Sequence, residues 1–110
     1  MTPKFTTTVT IDDVRAAAKR IEGRIRRTPL LAANLVHDPL PANPTLNLKL
    51  ECLQVSGSFK ARGAMSALTS LDDAAKARGL ITASGGNHGL GVACAGHAAG
   101  VPVTIYLPGN

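Results

Sequence analysis

The sequence predicts an α/β fold with parallel strands and flanking helices, and three observations lead there. A period-two apolar segment at 46–52 is followed, after Ser56-Gly57-Ser58, by apolar residues at helical spacing. Residues 80–107 read as strand, Gly-rich turn, helix and strand, a βαβ unit. With 110 residues the chain has room for one small domain at most.

At the N-terminal end, Ile11, Val14, Ala18, Ile21 and Ile25 fall on one helical stripe, which predicts a helix over 11–27. Thr10 is its expected cap, Asp12 and Asp13 sit near its positive end, and Thr28-Pro29 is its expected stop. Residues 30–45 carry Pro39, Pro41 and Pro44 with Asn34 and Asn43, the composition of a loop. Leu46, Leu48, Leu50 and Cys52 then alternate with Asn47, Lys49 and Glu51, as in a half-buried strand. From Phe59 onward, Ala61, Ala64, Leu68 and Leu71 predict a helix whose opening turn holds Lys60. The last third predicts a strand at Leu80–Ala83, a helix over about 88–99 closed by Gly100, and a strand at Val101–Leu107. Pro102 places that final strand near a sheet edge.

Composition removes several function classes. The net charge of +5 is concentrated in residues 1–27, where Lys4, Arg15, Lys19, Arg20, Arg24, Arg26 and Arg27 face three acids. The aromatics Phe5, Phe59 and Tyr106 are not interleaved with these cations, so a solvated helix face is favoured and no nucleic-acid partner is expected. No apolar run approaches the ~18 residues of a membrane span, and a soluble, cytoplasmic chain without membrane contact is expected. Cys52 and Cys94 have neither C-x-x-C nor Cys/His spacing, which predicts two buried, reduced thiols and no metal site. His97 shares a helix face with Cys94 and reads as a packed histidine, while His37 in the loop carries no assignment.

Both chemically interesting segments lie where a strand hands over to a helix, a place where backbone N–H groups favour anions. Ser84-Gly85-Gly86-Asn87-His88-Gly89 is no dinucleotide fingerprint: it lacks G-x-G-x-x-G, and no acid follows Asp73. A Walker motif and a G-x-S-x-G elbow are also absent from the sequence. On its own Lys60 reads as a surface charge and His88 as a capping or packing residue. These residues alone fit equally a non-catalytic α/β module whose Gly-rich turn binds an anion or whose basic helix meets an acidic partner.

The two segments together change that balance. SGSFKARGA at 56–64 followed by SGGNHG at 84–89 resembles the fold-type II pyridoxal-phosphate enzymes, of tryptophan synthase β-like architecture, in the threonine/serine dehydratase and serine racemase group. Arg27-Thr28-Pro29-Leu30 and a strand ending at Glu51 fit the same opening region. Lys60-Ala61-Arg62 and Asn87-His88 depart from the cysteine-synthase branch, where an acid would follow the lysine and a threonine the asparagine.

The resemblance implies pyridoxal 5'-phosphate as cofactor, Lys60 as the catalytic lysine bonded to its aldehyde carbon, Phe59 beside its ring and Asn87 on its 3-oxygen. It assigns Ser84, Gly85, Gly86, Asn87 and His88 to a substrate's α-carboxylate; Arg62 and Gly63 receive no contact, and Glu51 is structural. The implied activity is α,β-elimination from serine or threonine, giving a 2-oxo acid and ammonia. Serine racemisation is the alternative, and Gly85 speaks against it because racemase relatives are expected to carry a hydroxyl there. The resemblance further implies an N-terminal portion of a homo-oligomeric enzyme. Residues 1–79 would start the large domain and 80–110 the small one, with exposed sheet edges and little or no turnover in the isolated chain.

Overall fold

The computed structural model describes residues 8–33, 41–42 and 44–109. Lys4, Phe5, Asn34, His37, Pro39 and Asn43, named above, lie outside them.

Helix α1 spans Ile11–Ile21 and opens with a reciprocal cap. Thr10 Oγ1 accepts from the Asp13 amide at 3.2 Å, and Asp13 Oδ2 accepts from the Thr10 amide at 2.8 Å. Hydrogen bonds from the Thr10 hydroxyl and amide hold the Asp13 carboxyl below its ordinary pKa. The helix stops well short of residue 27, because Gly23 adopts a left-handed φ of +71° and turns the chain away. Ile25 therefore leaves the helix but still packs on the core beside Ile21. Arg15, Lys19, Arg20, Arg24, Arg26 and Arg27 are exposed, as a solvated face requires.

Strand β1, Leu30–Ala32, pairs antiparallel with β2, Asn47–Lys49, with Leu31 opposite Leu48. The loop expected over 30–45 thus begins with a strand; three residues are too few to show a period, and their partner lies far along the chain. β2 is also shorter than expected, since Glu51–Leu53 curls into a 3-10 turn. That turn leaves Cys52 exposed, against the expectation of a buried thiol, while Cys94 is half-buried. Gln54 turns inward instead and is 2% exposed. Its side chain accepts from the Arg26 amide and donates to the Arg26 carbonyl, both at 2.9 Å, so both backbone groups of Arg26 are satisfied outside regular structure.

Helix α2, Lys60–Thr69, buries Ala61, Met65 and Leu68. A short helix α3, Asp73–Arg78, follows; the apolar spacing does not predict it, although Asp72 caps it by accepting from the Ala75 amide at 2.7 Å. Gly79, at φ +82°, then turns into β3, Leu80–Ala83, which pairs parallel with β4, Val103–Tyr106. The crossover between them is α4, Asn87–Ala99, ended by Gly100 in the left-handed conformation. Pro102 precedes β4, where its carbonyl accepts from the Leu80 amide at 2.8 Å.

The core lies where α1, α2 and α4 meet: Ile21, Met65, Leu68 and Ala95, backed by Leu71, Leu80 and Val101. Its tightness depends on glycine, since a Cβ at Gly96 would lie 2.1 Å from Val103 Cγ2 and one at Gly89 would lie 2.7 Å from the Ser84 carbonyl. His97 is exposed on α4 rather than packed, because Ala95 and Gly96 take the buried positions there. Among the described residues, no helix is long and apolar enough to cross a membrane.

Candidate functional site

The site is set by two helix starts. After the 3-10 turn, Gly57 at φ +74° reverses the chain, and its amide donates to the Gln54 carbonyl at 2.8 Å. Ser58, 7% exposed, places its Oγ 3.4 Å from the Lys60 amide, and Phe59 takes the cap position of α2. Lys60 is therefore the first helical residue and is half-buried. Its Nζ lies 5.1 Å from the centroid of the Phe59 ring, a cation–π distance, while the ring itself is exposed.

Arg62, two positions on, fixes this turn from below. Its Nε donates to Glu51 Oε2 and its Nη2 to Glu51 Oε1, each at 2.7 Å, and the Thr28 hydroxyl donates to the same carboxylate. The Arg62 hydrogen bonds, against some desolvation, bring the Glu51 pKa down to about 2. Glu51 and Arg62 thus tie the 3-10 turn after β2 to the start of α2, with Lys49 Nζ nearby on the Thr28 carbonyl at 3.1 Å. Glu51 is held in this network by Arg62 and Thr28, and Arg62 gains a contact that the sequence left unassigned.

The second helix start follows β3. Ser84 Oγ accepts from the amides of Gly86 and Gly89 at 3.2 and 3.1 Å, so its hydroxyl caps α4 from two residues before the helix cap position. Among the described residues, the amides of Asn87 and His88 have no protein acceptor. Gly85, Gly86, Asn87 and His88 are all exposed. This first turn is open to an anion.

The two starts meet through Gly91. A Cβ on Gly91 would lie 3.0 Å from the Lys60 carbonyl carbon and 3.1 Å from both Lys60 Cβ and the Lys60 carbonyl oxygen. Asn87 stands one turn before Gly91, on the same side of α4. The motifs do not single out Gly91; its visible signal is a glycine-rich helix, where glycine is otherwise unfavourable. A cleft of about 520 Å³ opens beside this contact, lined by Phe59, Lys60, Gly63, Thr82, His88 and Val92 among others. His88 and Lys60 line it together, whereas Asn87 does not border it.

These residues fit an aromatic aldehyde bearing anionic groups. Among the described residues Lys60 Nζ has no hydrogen-bond or carboxylate partner, and an exposed aromatic ring flanks it. No group of three or more His, Cys, Asp or Glu side chains that could hold a metal occurs among the described residues.

The family model described as pyridoxal-phosphate dependent enzyme matches residues 21–110. The chain is 40% identical over 100 residues to a catabolic L-threonine dehydratase TdcB of Staphylococcus aureus, covering 91% of this chain and 29% of that protein. It superposes on the crystal structure of serine racemase from Dictyostelium discoideum with a TM-score of 0.84 at 38% identity, over 94% of this chain and 34% of that one. The structure of maize serine racemase gives a TM-score of 0.79 at 34% identity, over 93% and 31% of the two chains. The chain spans about three-tenths of the length of the curated relatives it matches.

Proposed function

The chain belongs to the pyridoxal-phosphate-dependent enzymes, and we propose that it carries the lysine and the carboxylate-binding loop of a threonine/serine ammonia-lyase. The observation that carries this reading is the packing of the Lys60 turn against α4 at Gly91, with Lys60 and His88 lining one cleft. In this reading Lys60 Nζ would hold the cofactor at its aldehyde carbon, Phe59 would flank the ring and Asn87 would donate to the pyridine 3-oxygen. Pyridoxal phosphate supplies, when bound, the electron sink for negative charge developing at a substrate α-carbon. The Asn87 and His88 amides receive the substrate carboxylate, aided by the α4 dipole, and Ser84, Gly85 and Gly86 shape the approach. With the cofactor bound, Lys60 Nζ, as a free amine, would take the substrate α-proton. Loss of the β-hydroxyl with a proton would release water and leave an enamine, whose hydrolysis off the enzyme would take up water and give a 2-oxo acid and ammonia.

Elimination is proposed over racemisation because Gly85 offers no hydroxyl to deliver a proton to the opposite face. Space does not impose that choice: a Cβ at Gly85 would meet only Pro108, at 3.4 and 3.8 Å. The relatives include both dehydratases and a serine racemase. The proposal extends to a cytoplasmic homo-oligomer in which residues 1–79 begin the large domain and 80–110 the small one. The test is a product assay on a full-length enzyme carrying these residues. Pyruvate or 2-oxobutanoate with ammonia from L-serine or L-threonine supports the reading; D-serine as the main product from L-serine overturns it.

A further inference from the structure

Gly91 is buried on α4 and packs directly against Lys60, which links the two helix starts. Three Lys60 atoms, two of them backbone, lie 3.0–3.1 Å from where a Gly91 Cβ would stand. Side chains can rotate away from such a contact; a helical backbone cannot, so any residue but glycine must push the first turn of α2 outward by a few tenths of an ångström. That turn is held from below by the paired Glu51 and Arg62. With Arg62 anchored, the displacement falls on the residue at the contact itself, Lys60.

We propose that Gly91 is a positioning residue, which sets how far the Lys60 amine reaches into the cleft beside the His88 turn. The inference rests on the proposed role of Lys60 but concerns the lysine's placement, which can be read without cofactor.

Gly91→Ala and Gly91→Val test it on the 110-residue chain, with Gly96→Ala as a control. The control introduces a harsher clash, 2.1 Å to Val103 Cγ2, on the same helix but against β4. In the first arm the chains are treated briefly with acetic anhydride, and acetylation of Lys60 is read by mass spectrometry relative to Lys19, Lys49 and Lys76. In the second arm pyridoxal phosphate and borohydride replace the anhydride. The proposal expects the Lys60 share to change by about threefold in Gly91→Ala, more in Gly91→Val, and not in Gly96→Ala.

An unchanged Lys60 share in both Gly91 variants overturns it. So does the same change in Gly96→Ala, or a uniform rise at all four lysines, since either marks general loosening. If wild-type Lys60 takes no pyridoxal label while the acetylation pattern shifts as expected, the positioning role stands and the catalytic reading of Lys60 falls.

Discussion

Arg62 grips Glu51 through two parallel hydrogen bonds, Nε to Oε2 and Nη2 to Oε1, both 2.7 Å long. The two residues are eleven apart in sequence, on different elements, and the Lys60 turn lies between them. Their pairing makes that turn sensitive to acid. Glu51 titrates near 4.5 in an unfolded chain and at about 2 in the folded one. Its folded pKa is depressed, so the stabilisation is fully present above about pH 5 and is lost as pH falls toward 2. Allowing for screening at the partly exposed Arg62, the pair contributes about 1–2 kcal/mol. Urea midpoints measured from acid to near-neutral pH should fall with acid in the wild type and follow a flatter curve in Glu51→Gln; parallel curves would exclude the pair as their cause.

Ser84 bears on stability through the start of α4. Its hydroxyl serves the Gly86 and Gly89 amides, so Ser84→Ala should cost about 1 kcal/mol, and Ser84→Thr should retain most of that. Amide exchange at Gly86 and Gly89 checks the cause: it should quicken in the alanine variant while exchange in α2 stays slow.

How much of this arrangement is legible in the sequence depends on the reach of each interaction. The Thr10 cap, the strand Leu80–Ala83 and Lys60 at a helix start are local matters of spacing and side-chain chemistry, and the structure agrees with them. The early end of α1 is hidden because Ile25 continues the apolar stripe beyond Gly23, and packing uses it outside the helix. β1 is hidden because three residues have no readable period and depend on a distant partner. α3 has a readable Asp72 cap but lies close behind a longer pattern that runs on to Leu71. At the site, Lys60 and Asn87 stand out by motif, whereas the contact of Gly91 with Lys60 exists only once two helices cross.

Two glycines at positive φ differ in their surroundings, and Gly79, with ψ 176°, also lies in a region that side chains avoid more strongly. Gly23, at φ +71°, has open space around a would-be Cβ, while Gly79, at φ +82°, has the Pro102 carbonyl oxygen 2.9 Å away. Gly23→Ala should cost about 1 kcal/mol from backbone strain alone, and Gly79→Ala should cost at least about 1 kcal/mol more. Thermal or urea melts of the two variants decide it, and equal losses would show that the Pro102 contact relaxes freely.

Gly85→Ser separates room from chemistry. With only Pro108 near the added Cβ, the variant should melt within about 0.5 kcal/mol of the wild type. In a full-length enzyme it should raise D-serine formation from L-serine relative to oxo-acid formation. An unchanged product ratio would remove Gly85 as the basis for choosing elimination.

The most direct measurement is a map of where pyridoxal phosphate attaches. The 110-residue chain is mixed with the cofactor, reduced with borohydride and digested, and each lysine peptide is quantified beside a Lys60→Ala control. We expect one dominant adduct, on Lys60, that vanishes in the control. Label spread over Lys19, Lys49 and Lys76 according to their exposure, with Lys60 unexceptional, would contradict the placement of the reactive amine at the start of α2.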